Sequence, residues 1–451
     1  MNQTLLEQID RFIEASQYPL TQDIIKLIGI KSVKGMPIPG APFGIGPKMM
    51  LDTVLEMGKA EGLYTTDYNT GIVSLALKEG QPDLGIWLHG DVVPEGQGWL
   101  WPPFDATEYK GCIIGRGATD NKGQLCAIFH LLKIFKELGV ELNYNPALYV
   151  GSDEESGMHD MTGIPGNEDA KGFCNVCTPP RLSLVPDGSF PVGYGGKGSM
   201  TVTFRSKRPL KDLRITAGEK NAPGKAVAHF YGNTIITNSL PRHLSNPDPN
   251  GNMITMLMDR LLEREETAAE NRPILEFFKL LSLDIHGEQC GINVKTETMP
   301  PLTLFAKAIS TNNGHADLTV NIRYPVEITY GEITKRLAEM AEKYDVALID
   351  AENTRGPYLL DKTWPVITRL AEIANEVTGE QKNPYTLGGG TYAHKLPNAL
   401  VFGMDGCKKP EGFPAGHGAA HGADELVSLE RLKRAMKIYA RALLALNDME
   451  W

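Results

Sequence analysis

The sequence predicts an α/β protein: one domain built on a mixed, largely parallel sheet, interrupted by an inserted α+β domain. Three observations lead there. Over about the first 190 residues, short apolar strands alternate with amphipathic helices. From about Gly193 the texture changes to alternating, half-exposed strands around a long polar helical stretch. After "RGPYLLDKTW" the α/β rhythm returns. A chain of 451 residues with 42% hydrophobic and 22% charged residues is an ordinary globular composition, long enough for two or three domains and a sizeable core.

In chain order, "MNQTLLEQIDRFIEASQYPLTQDIIKLIGI" spaces its apolar residues as an amphipathic helix and lacks the apolar centre of a signal peptide. Strand "LGIWL" follows, then a helix over "NKGQLCAIFHLLKIFKELG", then strands "PALYV" and "RLSLV". The insert, residues 193–357, contains the alternating segments "SMTVTFRS", "LTLFAKAIS" and "DLTVNIRYP" and a helical stretch from Met253 to Leu283. Residues 358–451 rejoin residues 1–192 with a helix over "PVITRLAEIANEVTG", a strand "NALVFGM", a Gly-rich loop and a last helix capped near Asp424 or Ser428. No internal repeat or low-complexity linker interrupts this order.

Charge and cysteine usage narrow the partners. With 45 basic and 55 acidic residues the chain carries −10, which argues against nucleic acid, whose recognition rests on clustered Lys and Arg. No stretch is long and apolar enough to span a bilayer, so a cytoplasmic protein without a membrane partner is expected. Cys112, Cys126, Cys174, Cys177, Cys290 and Cys407 follow no framework spacing, which predicts reduced thiols. The CxxC of Cys174 and Cys177 lacks the second pair of a zinc ribbon.

The chemistry-bearing residues gather after the strands, where open α/β sheets bind ligands. His89 and Asp91 follow "IWL", Asp120 follows "GCIIGRGAT", and Glu154 and Glu155 follow "ALYV". Asp187 follows "SLVP", and "HGAAHGADE" comes after "ALVFGM" and its loop. Converging carboxylates repel and raise one another's pKa unless cations neutralise them. Asp120, Glu155 and Asp187 with a shared hydroxide would balance two divalent ions, with one carboxylate bridging. Mixed His and carboxylate ligands suit zinc, with manganese or cobalt as competitors. Paired metals polarise an acyl oxygen and lower the pKa of a water towards ~7, which points to hydrolysis. Asp91, two residues from His89, is placed to support that imidazole, and one of Glu154 and Glu155 is free to act as general base while the other binds metal.

Two look-alikes are set aside. His417 and His421 have the i,i+4 spacing of a zincin helix without its Glu, in a run too rich in glycine for a helix. "GYGGKGS" resembles a phosphate loop, but Gly follows Lys197 where Ser or Thr is needed. Both are expected to be turns.

Taken together, "HGDVVPEGQGW", "GRGATDNKG", "GSDEESG", "LVPDGSFP", "NIRYP", "GGGTY" and "HGADE" make the chain resemble the dinuclear-zinc metallopeptidases that include aminoacylase, carboxypeptidase G and carnosinase, above all the bacterial PepV-type dipeptidases. The resemblance implies that His89, Asp120, Glu155, Asp187 and His421 are metal ligands with Asp120 bridging, that Glu154 is the general base, and that Asp91 supports the site. It implies a lid role for the insert, with His243 of "HLSNPDPNGN" stabilising the oxyanion and Asn221 of "NAPGKA" contacting substrate. Arg323 of "NIRYP" then clamps the substrate's terminal carboxylate, and "GGGTY" offers Gly389 and Thr391. Here the chain departs from its relatives: the position that usually holds Arg after "GGGTY" and a small residue is His394, whose imidazole cannot make the same bidentate contact. The implied activity is a metal-dependent dipeptidase acting on dipeptides through two divalent ions. The alternatives are an N-acyl-amino-acid amidohydrolase and a non-catalytic metal-dependent binding protein. The length of the insert implies a monomer.

Overall fold

The computed structural model describes residues 3–167, 170–217, 225–238, 252–404 and 409–451. They form two compact units. The first contains Met1–Tyr194, Leu360–Tyr385 and Thr391–Trp451, and the second Gly195–Leu359 and Thr386–Gly390. Segment 386–390, read from the sequence as part of the α/β domain, therefore belongs with the insert. Two hydrogen bonds place it there: the Lys197 N–H donates to the Leu387 carbonyl at 2.9 Å, and the Thr386 hydroxyl to the Thr298 carbonyl at 3.1 Å.

The sheet of the first unit runs in the order Tyr64–Asp67, Ile72–Ala76, Pro146–Gly151, Leu84–His89, Leu182–Val185, Ala399–Val401. The last four strands are mutually parallel, and the first two pair antiparallel. Leu84–His89 and Pro146–Gly151 are buried along their whole length. That burial is why they read as unbroken apolar runs, as parallel strands covered on both faces do. Helix Leu429–Leu446 packs against helices Gln3–Ala15, Gly123–Glu137 and Pro365–Thr378. Its N-cap is Ser428, whose hydroxyl accepts the Arg431 N–H. Asp424 is no cap: its carboxylate holds the Leu100 and Trp101 N–H groups at 2.8 and 3.1 Å.

Several elements differ from the sequence reading. The N-terminal helix is two, Gln3–Ala15 and Gln17–Ile28, because Pro19 has no N–H to continue the ladder. "GCIIG" is not a strand of the main sheet. Cys112–Ile114 sits in a separate antiparallel sheet between Thr107–Tyr109 and Leu426–Ser428.

The second unit is a seven-stranded antiparallel sheet in the order Asn233–Asn238, Lys225–Phe230, Leu213–Ala217, Thr303–Asn312, His315–Tyr324, Gly198–Ser206, Val346–Arg355. Met200, Val202, Phe204, Leu318, Val320 and Ile322 join a core with residues of helices Met253–Leu262 and Arg272–Leu283. The long helical stretch is thus two helices, the second opening with Pro273 in its first turn. "GYGGKGS" is extended rather than a turn, lying in strands Gly193–Gly196 and Gly198–Ser206. Its glycines serve close packing: a Cβ on Gly198 would lie 2.5 Å from Tyr324 Cζ.

Candidate metal centre

Three neighbouring parallel strands bring their carboxyl ends to one edge, and each delivers part of the site. Leu84–His89 ends in His89, Pro146–Gly151 leads into the turn carrying Glu154 and Glu155, and Leu182–Val185 leads to Asp187. Asp120 and His421 reach the same place from loops. Ligand atoms of His89, Asp120 and Asp187 lie within 4.8 Å of one another, and so do those of Asp120, Glu155 and His421. Asp120 belongs to both groups: its Oδ1 is 3.0 Å from His89 Nε2 and its Oδ2 is 3.0 Å from His421 Nε2. Glu155 Oε1 is also 3.0 Å from His421 Nε2.

Asp91 faces His89 with both its main chain and its side chain. The nearest partner of His89 Nδ1 is the Asp91 backbone carbonyl at 3.0 Å, whereas the carboxylate stands 3.6 Å away. That carboxylate accepts the backbone N–H groups of Glu154 at 3.2 Å and Glu155 at 3.1 Å. Asp91 thus meets the imidazole through its carbonyl and its carboxylate, and the same carboxylate holds the acidic turn. The third acid of that turn, Asp153, is buried and pairs with Lys34 Nζ at 2.5 Å and His159 Nδ1 at 2.8 Å.

Buried acids this close perturb one another. Burial pushes the Glu154 carboxyl well above its usual range, and the Asp187 and Glu155 charges push the same way against His89. Asp187 rises to about 7, chiefly through burial and then Asp120. Burial alone would lower the His421 pKa, yet its bonds to Asp120 and Glu155 push it up to about 11. Among the described residues, the ion pairs of Asp120 and Glu155 are with imidazoles rather than with Lys or Arg. Glu154 Oε1 is buried without a hydrogen-bond partner. Three acids and two imidazoles in two groups with one shared carboxylate form a nitrogen and oxygen donor set that fits a pair of divalent cations.

One residue that sequence reasoning missed is Glu425. It is fully buried, and its carboxylate accepts the N–H groups of Gly117, Thr119 and Asp120 at 2.9–3.0 Å and Arg116 Nη1 at 2.6 Å. Arg116 Nη2 also donates to the His421 carbonyl at 3.3 Å. One buried pair thus holds both loops that supply ligands. The available signal was position, since Glu425 closes the same "HGADE" that contains His421. His417, the other histidine of that run, pairs with Asp424 at 2.5 Å in a turn.

Of the expected substrate residues, Thr391 is buried and its hydroxyl accepts the Ala393 N–H at 3.2 Å. His394 Nδ1 accepts the Thr391 N–H at 3.4 Å. Arg323 and Gly389 belong to the second unit. Asn221, His243 and Cys407 lie outside the described residues. Cys174 and Cys177 are free thiols.

The profile of Peptidase family M20/M25/M40 matches residues 86–445. A protein of Bacillus subtilis (strain 168) named "Putative dipeptidase YtjP" is 26% identical over 90% of this chain and 92% of its own length. Among solved structures, the di-peptidase Dug1p of Saccharomyces cerevisiae aligns over 99% of both chains at 14% identity with a TM-score of 0.60. Human carnosine dipeptidase 1 aligns over 98% of this chain and all of its own, at 15% identity and a TM-score of 0.59. At those identities the two structures speak for the fold.

Proposed function

We propose that this chain, which belongs to peptidase family M20/M25/M40, is a metal-dependent dipeptidase. The observation that carries the reading is the pair of three-residue groups sharing Asp120, with the unpaired carboxyl oxygen of Glu154 buried among the same strand ends. His89, Asp120 and Asp187 would hold one divalent ion, and Asp120, Glu155 and His421 the other. Zinc suits these donors, and manganese or cobalt would be accepted. Bound there, such ions polarise the scissile carbonyl and make a water more acidic.

The chain's own groups do the rest. Glu154 takes the proton of the attacking water and returns it to the leaving amine nitrogen, as a general base and then acid. Burial raises the Glu154 carboxyl, and divalent charge held by the neighbouring ligands would favour its ionised form. Asp91 keeps Glu154 and Glu155 on separate tasks by fixing both their N–H groups. Arg323 takes the substrate's terminal carboxylate, and His243 and Asn221 are proposed for the oxyanion and the substrate main chain. The dipeptidase name of the Bacillus relative supports a two-residue substrate, and the length of the insert supports a monomer. No helix among the described residues is long and apolar enough to cross a membrane.

The test is hydrolysis of a dipeptide library by the metal-loaded protein, run beside N-acetyl and N-succinyl amino acids. Dipeptides should be cleaved with the higher kcat/KM. Preference for the acylated amino acids would replace the reading with an amidohydrolase.

A further inference from the structure

In the second unit, Ser199 is the register partner of Arg323 on one neighbouring strand and of Arg355 on the other. Register partners present their side chains on one face of a sheet. Here it is the face opposite Met200, Val202 and Phe204, which pack into the core. Two guanidiniums therefore share a polar face across a single serine.

Neither is fully satisfied among the described residues. Arg323 gives its Nε to Asn321 Oδ1 at 3.1 Å, but its Nη1 is buried with no hydrogen-bond partner, and so are Nε and Nη2 of Arg355. No ion pair among the described residues joins either one to a carboxylate. Arg355 is also roofed in by backbone: a Cβ on Gly390 would lie 2.0 Å from its Cζ, so only glycine allows the guanidinium to sit there. Burial and the Arg323 charge push the Lys197 amine, two residues before Ser199, down to about 8. The face thus carries positive charge that no ion pair among the described residues neutralises. Buried, unpaired charged N–H groups are costly unless a ligand completes them.

We propose that Arg323 and Arg355 form a two-guanidinium site for a dicarboxylate, so that the favoured substrates are dipeptides with aspartate or glutamate at the C-terminal position. Arg323 takes the main-chain carboxylate and Arg355 the side-chain carboxylate, each matching a guanidinium fork. Two negative charges then balance two buried positive ones, whereas a neutral C-terminal residue leaves Arg355 uncompensated. The substrate class rests on the dipeptidase reading; the anion site stands on the second unit alone.

Two measurements on the metal-loaded full chain test it. Calorimetric titration with L-glutamate and with L-glutamine should show glutamate binding about 10–100-fold tighter, the worth of one charge-assisted pair. The kcat/KM of alanyl-glutamate over alanyl-glutamine should show a ratio of the same size. Arg355→Met should bring both ratios close to one, and Arg355→Lys, which keeps the charge without the fork, should keep part of them and so separate loss of the site from loss of the fold. Equal binding of the two amino acids, or unchanged ratios in Arg355→Met, overturns the dicarboxylate site. A preserved binding ratio with no turnover of any dipeptide would instead sink only the dipeptidase reading.

Discussion

The backbone N–H of Asp120 donates to the carboxylate of Glu425 at 2.9 Å, a contact across 305 residues that fixes the carboxylate shared by the two ligand groups. Burial pushes the Glu425 carboxyl up to about 7, against the Arg116 guanidinium. Breaking such a buried pair leaves the arginine uncompensated. Glu425→Gln should destabilise the protein by about 3–5 kcal/mol and weaken metal binding by about 10–100-fold. Denaturant melts and a competitive metal titration would measure both, and unchanged metal affinity would show that Glu425 does not position Asp120.

Asp91 offers a sharper separation of roles. In Asp91→Asn the amide keeps one acceptor oxygen but turns an NH₂ towards the second of the Glu154 and Glu155 N–H groups. The bond from His89 Nδ1 to the residue 91 carbonyl is main chain and survives. Turnover should therefore fall by about 10-fold or more while bound metal stays near the wild-type amount. Loss of metal in proportion to activity would instead mean that the Asp91 carboxylate acts on His89 itself.

How far the sequence could be read follows from where each residue sits. His89, Glu154, Glu155 and Asp187 follow parallel strands that are buried on both faces, so apolar runs ending in polar residues were visible. Asp120 was found for a weaker reason, since the strand before it belongs to another sheet and the loop is held by Glu425. A bond to a backbone N–H leaves no signature in residue type, which is why Glu425 stayed hidden inside a quoted motif. Arg355 was missed for the opposite reason. Its strand has an irregular register between Asn353 and Arg355, so alternation did not mark which face it shares with Arg323.

Glu154 and Asp120 distinguish base from ligand. Glu154→Gln keeps shape and polarity but cannot accept the water's proton, so kcat should drop about 10²–10⁴-fold with both metals retained. Asp120→Ala should lose metal together with activity, because its two oxygens face different histidines. Elemental analysis decides: two metals per chain in Asp120→Ala would reject the bridging role, and full activity in Glu154→Gln would reject the base.

Asp160, whose carboxylate accepts the Ser152 and Asp153 N–H groups, predicts a pH dependence of stability. Burial raises its carboxyl from 3.8 to about 7, although the Tyr392 hydroxyl donates to it at 2.5 Å. Between those values the folded protein holds a proton that the unfolded chain has released. The stability from this group is complete below the lower value and is lost as pH rises through about 7. In Asp160→Asn the decline in stability between pH 4 and 7 should be shallower by about one proton per unfolding event. Equal slopes in chemical denaturation of the two proteins would show that Asp160 is ionised in the fold.

Arg323 and His394 divide the question of how the substrate's main-chain carboxylate is held. Burial lowers the Arg323 pKa without any carboxylate beside it, and its Nη1 is unmatched, whereas His394 already has its Nδ1 turned to the Thr391 N–H. That contact already occupies one ring nitrogen of His394. The arginine is thus the better grip. Arg323→Met should raise KM for dipeptides about 10–100-fold with a smaller change in kcat, and should hardly alter the already weak binding of dipeptide amides. His394→Arg should leave dipeptide KM unchanged or lower it. A C-terminal amide with the same KM as its parent dipeptide in the wild-type protein would remove the carboxylate from recognition altogether, and with it both residues' proposed part.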